Sequence, residues 1–272
     1  MTIPSIDILH KVVAVAKEAG SFIRKESESF DRDAVEHKGF NDLVSYVDKT
    51  AEKIIVEGLK GVLPGAGFIA EEGTGEQNPE GPNWIIDPLD GTTNFVHGIP
   101  AFAVSIALYD AGELTLGVVY EVIGDECFSA LKGSGAWLND KPIRVSQAAR
   151  LESGLIATGF PYAKFDHMPQ YLDVLTEFMR STHGVRRIGS AAIDLAYTAC
   201  GRFEGFFEYG LKPWDVAAGI LLVKEAGGEL SDFTGGDQYL FGGQIVAANA
   251  LHNDILSVIR KQWPEDETRM KS

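Results

Sequence analysis

The sequence predicts a mixed protein in two unlike halves, an α+β half at residues 1–146 and an α/β half at residues 147–272. Two observations lead to this prediction. Apolar residues follow helical spacing up to about residue 63, and short strands joined by hairpin turns come next. From about residue 155 onward, strand-like and helix-like stretches alternate, which favours an α/β arrangement.

Two amphipathic helices are expected before the first sheet. Apolar residues recur at helical spacing over residues 6–23, and Ser5 is placed to cap the start of this helix. A second helix is expected at 47–63, where Pro64 ends it. Residues 26–41, between the two helices, are polar and charged and predict a mobile connection.

Short apolar runs then predict the strands of one sheet. These strands are expected at 67–70, 83–86, 102–109, 114–121, 127–131 and 135–138. Ala111-Gly112 and Asn139-Asp140 are typical of hairpin turns, so neighbouring strands should be antiparallel. The first half is therefore expected to pack helices on an antiparallel sheet.

The second half alternates the two kinds of element. Strands are expected at 155–158, 185–188, 203–207, 229–230 and 245–248. Helices are expected at 171–179, 191–199, 216–226 and 253–261. The pair Gly227-Gly228 is a helix stop signal after the third of these helices.

Composition excludes several classes of protein. The 272 residues include 24 Lys and Arg against 39 Asp and Glu, a formal net charge of −15, so direct nucleic-acid binding and attraction to anionic membranes are not expected. No apolar run is long enough to span a bilayer, and the charged N-terminal residues argue against a signal peptide. Cys127 and Cys200 lie in apolar stretches without CxxC spacing, so both are expected to be buried thiols of a cytoplasmic protein.

A compact acidic motif follows the second expected strand. Asp87 and Asp90 lie three residues apart, and Pro88 stiffens the turn between them. Two carboxylates this close repel each other unless a cation lies between them. Gly91 allows a ligand to approach the backbone, and N–H groups from Thr92 onward suit an anion at a helix start. An isolated Asp-x-x-Asp turn is more simply explained by Asx caps, but the whole string is much more specific.

Two further acidic positions lie at the ends of expected elements. Glu71 and Glu72 end a strand, and Asp215 opens a helix. Taken singly, they are explained as a solvated loop pair and as an N-cap or first-turn acid. If they converge with Asp87 on one edge, these hard oxygen ligands select magnesium over zinc or copper. The motifs of serine hydrolases, zinc peptidases and P-loop proteins are absent from the sequence.

With these residues the chain resembles the inositol monophosphatase family of magnesium-dependent, lithium-sensitive phosphatases. The resemblance runs from Asp42 to about Ala247 and is closest to bacterial members. Its signatures are Glu71-Glu72-Gly73, Trp84-Ile85-Ile86-Asp87-Pro88-Leu89-Asp90-Gly91-Thr92-Thr93-Asn94-Phe95, Gly189-Ser190-Ala191-Ala192 and Trp214-Asp215-Val216-Ala217-Ala218-Gly219. The resemblance implies a homodimer with a layered α-β-α-β-α sandwich of the sugar-phosphatase type.

The same resemblance implies a role for each candidate residue. Two to three Mg²⁺ ions per subunit would be held by Glu71, Asp87, the Leu89 carbonyl, Asp90 and Asp215. Asp48 and Thr92 would orient and deprotonate the attacking water, and Glu71 would also hold a third, weaker ion with its water. The phosphate would rest on Gly91 and Thr92. The sugar end of the substrate would be read by Asp90, Gly189, Ser190, Ala191 and Glu208. Without the resemblance, Asp48 would be read as a helix N-cap.

Three functions remain open at this point. The leading one is hydrolysis of inositol monophosphate to myo-inositol and phosphate by a metal-activated water. Related enzymes that hydrolyse fructose 1,6-bisphosphate, histidinol phosphate or 3′-phosphoadenosine 5′-phosphate share the metal motif, so the motif does not separate them. The third is a phosphatase with an added protein-interaction role in transcription; the acidic composition argues against direct RNA binding but not against a protein partner.

Overall fold

The computed structural model describes residues 4–30, 36–39, 42–161 and 165–263, with the backbone alone at 36–39 and 42–44. Its helices are α1 (Ile6–Ser27), α2 (Tyr46–Val62), α3 (Thr92–His97), α4 (Met168–Ser181), α5 (Ala191–Ala199), α6 (Pro213–Glu225) and α7 (His252–Gln262). Its strands up to the middle of the chain are β1 (Glu36–Gly39), β2 (Asp42–Val44), β3 (Gly67–Ala70), β4 (Asn83–Asp90), β5 (Ala103–Asp110), β6 (Glu113–Glu121), β7 (Glu126–Leu131), β8 (Gly135–Leu138) and β9 (Lys141–Pro142). The later strands are β10 (Leu155–Thr158), β11 (Gly184–Arg186), β12 (Gly205–Tyr209), β13 (Glu229–Ser231) and β14 (Gln244–Ala248).

Helices and sheets alternate in layers. The first sheet has the strand order β3-β4-β5-β6-β7-β8-β9, and one of its faces packs against α1 and α2. Helices α5 and α6 fill the space between its other face and the second sheet. On the far side of the second sheet lie α4 and α7. The expected α-β-α-β-α sandwich is confirmed.

The central strand β4 shows why these layers form. Trp84 and Ile86 belong to the core with α1 and α2, whereas Ile85 belongs to the core with α5 and α6. Successive side chains of a strand point to opposite faces of its sheet. A strand that is covered by helices on both faces therefore needs a continuous apolar run, and β4 has one.

Strand pairing is mostly, but not wholly, as expected. In the first sheet β3 is parallel to β4, and the later neighbours are antiparallel. The second sheet has the order β11-β10-β12-β14-β13 and is mixed. In it, β10 is parallel to both β11 and β12, while β14 is antiparallel to β12 and β13. The carboxyl ends of β10 and β12 therefore lie at the same edge.

Two expectations need correction. The mobile connection at 26–41 is wrong in part, because α1 continues to Ser27 and β1 pairs with β2 in an antiparallel ribbon; residues 31–35 and 40–41 lie outside the described ranges. Cys127 is buried as expected, but Cys200 is only half-buried, at the end of α5. Ser5 caps α1 as predicted, accepting a hydrogen bond from the Ile8 N–H.

Some element boundaries also differ from those expected. Helix α6 begins at Pro213, three residues earlier than predicted, because proline fits the first position of a helix. The expected division at residue 146 lies in the connection between Pro142 of the first sheet and Leu155 of the second, and it stays a prediction. Over the described ranges, the helices lack the combination of length and apolar character needed to cross a membrane.

Candidate active site

The acidic motif lies at the end of β4, which runs to Asp90 rather than ending at Ile86. Asp87 is opposite Ser105 and Asp90 is opposite Ala103, so β4 has one extra residue relative to β5. This extra residue is a β-bulge, a feature that bends a strand and redirects its side chains. Pro88 is tolerated there because a bulge leaves a backbone N–H without a ladder partner.

Glu71 reaches the same edge through the parallel pairing of β3 with β4. Ala70 is opposite Ile86, and the Glu71 N–H donates to the Ile86 carbonyl at 3.2 Å. Glu71 therefore follows β3 where Asp87 follows the apolar part of β4. The charge of Glu71 is close enough to raise the pKa of Asp87.

Asp87 is the most buried of these acids. Only 2% of it is exposed, and its Oδ1 accepts a hydrogen bond from the Leu89 N–H at 3.0 Å. Burial raises the pKa of Asp87 well above its usual value, and the charges of Glu71, Asp90 and Asp215 raise it further. The four acids that were singled out from separate parts of the sequence thus form one electrostatic cluster.

Asp90 joins this cluster to the second half of the chain. Its Oδ2 accepts hydrogen bonds from the Ser190 hydroxyl and the Ala192 N–H, both at 2.6 Å. Ser190 is at the same time the N-cap of α5 and accepts from the Ile193 N–H. Burial raises the pKa of Asp90 to about 6 in spite of these hydrogen bonds, which favour the charged form.

Asp215 lies in the first turn of α6. Its Oδ2 accepts a hydrogen bond from the Lys212 N–H at 2.7 Å, which confirms the expected position of Asp215 as an acid of the first helical turn. Burial raises the pKa of Asp215 to about 7, and the charge of Asp90 adds to the shift. The local helix role and the place in the acidic cluster are therefore combined in one side chain.

Asp48 and Thr92 form a second group beside the cluster. The Thr92 hydroxyl lies 2.9 Å from Asp48 Oδ1 and 3.0 Å from the Leu89 carbonyl oxygen. The reading of Asp48 as an N-cap is wrong, because Ser45 caps α2 and donates to Asp48 Oδ2 from both its N–H and its hydroxyl, at 2.8 and 2.7 Å. Burial raises the pKa of Asp48, while the bonds from Ser45 and Thr92 oppose the shift.

Gly91 occupies a backbone conformation that L-residues with a side chain rarely adopt. Its φ is 97°, and a Cβ at this position would lie 2.9 Å from the Ala101 carbonyl oxygen. Gly91 is followed by α3, so the helix start expected at Thr92 is confirmed. The first N–H groups of a helix have no partner within the helix, which leaves them for other acceptors.

A cavity of about 70 Å³ adjoins the acidic cluster. The residues expected to read the sugar end all line it, together with the last acid of the cluster: Asp90, Gly189, Ser190, Ala191, Glu208 and Asp215. Glu208 is 8% exposed, and burial raises its pKa to about 8, with a further contribution from the charge of Asp215. The expected substrate residues are thus neighbours in space.

Sequence reasoning missed several residues at this edge. Gly159 and Asp194 also line the cavity. A Cβ at Gly159 would lie 2.1 Å from both carboxylate oxygens of Glu208, so a side chain at this position would displace that carboxylate. Glycine at this position has no local signal, because the contact depends on the pairing of β10 with β12.

Glu52 was also missed. Its buried carboxylate accepts hydrogen bonds from the N–H groups of Glu72 and Thr74, each at 2.8 Å, and so fixes the turn that holds Glu71. The available signal was its spacing: Glu52 follows Asp48 by four residues on a helix, which puts both on one face.

The donor chemistry of the cluster fits magnesium. Clustered, desolvated carboxylates that raise one another's pKa are relieved by a hard cation, for which all-oxygen donors are the preferred ligands. Among the described residues, however, no three His, Cys, Asp or Glu side chains already surround one point as metal ligands. Asp87, Asp90 and Asp215 each have one carboxylate oxygen that accepts a hydrogen bond from the protein. The residues present therefore fit the ion in chemistry.

Comparison with known proteins agrees with this picture along nearly the whole chain. Residues 7–264 match the model of the inositol monophosphatase family. An inositol-1-monophosphatase of Mesorhizobium japonicum is 43% identical over 256 residues, covering 93% of this chain and 96% of the relative. The Nus factor SuhB of Escherichia coli K12 is 45% identical over 243 residues, covering 89% and 91%. The crystal structure of the extragenic suppressor protein suhB from Bartonella henselae has a TM-score of 0.90 at 42% identity, covering 94% of this chain and all of that one.

Proposed function

The chain belongs to the inositol monophosphatase family, and from this premise we propose that it is a magnesium-dependent phosphatase that hydrolyses inositol monophosphate to myo-inositol and phosphate. The observation that supports this most strongly is the Thr92–Asp48 hydrogen bond beside a cluster of buried carboxylates. That combination provides a proton acceptor next to a cation site, which is what hydrolysis by water requires.

Magnesium would be held by the acids of the cluster and one backbone oxygen: Glu71, Asp87, the Leu89 carbonyl, Asp90 and Asp215. Two to three ions per subunit are proposed, the third and weaker one at Glu71. When bound, magnesium supplies positive charge that offsets the charge of the phosphate and makes water more acidic. The hydrogen bonds from Ser190 and Ala192 would keep Asp90 oriented while it binds the ion.

Thr92 and Asp48 would handle the proton of the attacking water. When the Thr92 hydroxyl donates to Asp48 Oδ1, the lone pairs of its oxygen can accept a hydrogen bond from water. As water attacks phosphorus, its proton would pass to the Thr92 oxygen while the Thr92 proton passes to Asp48. The two donors from Ser45 keep the other oxygen of Asp48 fixed, so the acceptor stays aligned.

The phosphate would rest on the N–H groups of Gly91 and Thr92 at the start of α3. The polyol would lie against Asp90, Ser190 and the neighbouring backbone of Gly189 and Ala191. The Glu208 carboxylate would accept hydrogen bonds from two adjacent hydroxyls. Attack in line with the ester bond releases the alcohol on the opposite side of phosphorus, and no covalent enzyme intermediate is needed.

The test is phosphate release from a panel of esters with Mg²⁺, with and without Li⁺. The panel contains inositol 1-phosphate, fructose 1,6-bisphosphate, histidinol phosphate and 3′-phosphoadenosine 5′-phosphate. A preference for inositol 1-phosphate that lithium inhibits supports the proposal in full. A preference for another ester keeps the mechanism and changes the substrate, and no release from any ester overturns the proposal.

A second candidate is an added protein-interaction role in transcription, favoured by the name of the Nus factor relative. With a net charge of −15, contact through a protein partner is the better proposal than direct RNA binding. Affinity purification of the tagged chain from its own host's lysate should then recover transcription proteins, both for the wild type and for Asp90→Asn. Recovery of none would overturn this role.

The proposal also covers the oligomeric state and the cellular location of the protein. We expect a homodimer in the cytoplasm, as the family resemblance implies. Light scattering of the purified protein measures the first point, and cell fractionation measures the second. A monomeric mass at micromolar concentration would contradict the dimer without touching the proposed reaction.

A further inference from the structure

One buried acid of the cavity has no role in the reaction as proposed. Asp194 lies in α5, four residues after the N-cap Ser190, and is 1% exposed. Within the described residues, its Oδ1 is buried and has no hydrogen-bond partner. Native proteins rarely leave a buried polar oxygen without a partner, so this atom indicates a partner that the protein itself does not supply.

The surroundings of Asp194 indicate what kind of partner fits. The cavity lining brings Asp194 together with Glu208, Asp90, Asp215 and Arg187. Burial raises the pKa of Asp194 well above its usual value, the charges of Glu208 and Asp90 raise it further, and the charge of Arg187 opposes them. A raised pKa favours the protonated carboxyl, which can donate one hydrogen bond and accept others.

We propose that Asp194 is a specificity-determining residue that binds one hydroxyl of the substrate's alcohol part, beside the two hydroxyls that Glu208 binds. A hydroxyl group both donates and accepts, so it satisfies the unpartnered Oδ1 without bringing charge into the cavity. This inference rests on the proposed function, because it assigns a residue to the same site.

The same geometry selects against a second charged group. Four acids line the cavity, and Arg187 is the one cation among the described residues that do so. A second phosphate would lie beside Glu208 and Asp194 in a space of about 70 Å³, where it would lose its hydration without gaining a second cation. The lining therefore fits the uncharged alcohol part of the proposed substrate better than it fits a second phosphate.

The test compares two esters in variants of Asp194. Asp194→Leu keeps the approximate size and removes the hydrogen bond, so the KM for inositol 1-phosphate should rise about three- to tenfold, the effect of one neutral hydrogen bond. The KM for p-nitrophenyl phosphate, which has no hydroxyls to bind, should change less than about twofold. Asp194→Asn keeps one donor and one acceptor and should restore the wild-type KM for inositol 1-phosphate.

Asp232 provides a matched control. It is also a buried aspartate with an unpartnered oxygen, but it lies in the turn after β13, outside the cavity lining. Asp232→Asn should lower the melting temperature and leave the ratio of the two KM values unchanged. If Asp194→Leu behaves in the same way, its role is structural and the proposal is overturned.

A binding measurement separates this inference from the proposed function. Should the wild type release no phosphate from any ester, the reaction is wrong, and calorimetric titration of myo-inositol in MgCl₂ and inorganic phosphate decides the role of Asp194. Binding to the wild type that Asp194→Leu loses and Asp194→Asn keeps supports the proposal. Equal binding to both variants, or none to the wild type, overturns it.

Discussion

The hydroxyl of Thr92 lies 2.9 Å from Oδ1 of Asp48, although 44 positions separate the two residues in the chain. The contact joins the first turn of α2 to the first residue of α3. Because Ser45 holds the other oxygen of Asp48, this contact is fixed by the folded protein before any ligand arrives.

Thr92→Ala should lower kcat for inositol 1-phosphate by about 100-fold or more, because it removes the hydroxyl through which the proton leaves. KM and magnesium affinity should change little, since the backbone donors stay in place. Steady-state kinetics at several Mg²⁺ concentrations measure both quantities. Thr92→Ser should retain most of the activity, and Thr93→Ala serves as the neighbouring control. A wild-type kcat in Thr92→Ala would show that the Thr92–Asp48 pair does not take part in the mechanism.

Asp90→Asn should abolish turnover and weaken the response to magnesium. The Asp90 carboxylate contributes negative charge to the cluster, and the amide of asparagine removes that charge. The amide oxygen can still accept the hydrogen bond from Ser190, so the fold should be retained. Binding to the folded state stabilises it by about 2.7 kcal/mol when the ion exceeds its Kd 100-fold. Melting curves with Mg²⁺ and with EDTA should therefore differ in the wild type and nearly coincide in Asp90→Asn.

The control for Asp90→Asn is Asp173→Asn, which changes an exposed aspartate of α4. It should keep both activity and the magnesium-dependent rise in melting temperature. An Asp90→Asn protein with wild-type turnover would refute the assignment of the metal ligands.

Gly159→Ala should raise the KM for inositol 1-phosphate about tenfold. The new Cβ would occupy the space of the Glu208 carboxylate and displace it from the position in which it binds the polyol. Glu208→Gln should act in the same direction, and in both variants p-nitrophenyl phosphate should be much less affected. Gly61→Ala is the control, since a Cβ there meets no atom within 4 Å. Equal KM changes for the two esters would argue against a role for Glu208 in reading the polyol.

His252 should make stability fall at acid pH. It is buried, its Nε2 lies 2.9 Å from the Ser231 hydroxyl, and burial lowers its pKa below the usual 6.5. The folded state therefore binds fewer protons than the unfolded state just below pH 6.5. The stability that this group contributes is present above that pH and is lost as the pH falls through the lower folded-state pKa.

His252→Asn is expected to cost about 1 kcal/mol at pH 8 through its altered hydrogen bond and to flatten the loss of stability between pH 7 and pH 5. Urea unfolding at a series of pH values measures both effects. His10→Gln, at an exposed position of α1, should keep the wild-type slope. An unchanged slope in His252→Asn would show that other groups cause the acid sensitivity.

The sequence was most informative where local patterns decide structure. The apolar run of β4 followed by Asp87 located the acidic motif, and α5 was predicted with the correct bounds, because strand burial and helical periodicity depend on adjacent residues. Cys200 was misjudged because its exposure depends on what packs around the end of α5. Gly159 and Asp194 were missed for the same reason, since their importance depends on strands and helices that are remote in the chain.

The bridge from Ser190 and Ala192 to Asp90 has a consequence for biosynthesis. Glu71 and Asp87 leave the ribosome long before Ser190, Glu208 and Asp215. A nascent chain that ends after the first sheet has part of the acidic cluster but lacks both the clamp on Asp90 and the last carboxylate. If the proposed function is correct, catalytic competence would begin only when α6 has been synthesised and docked between the sheets, and phosphate release would report the completion of the fold as well as the presence of substrate.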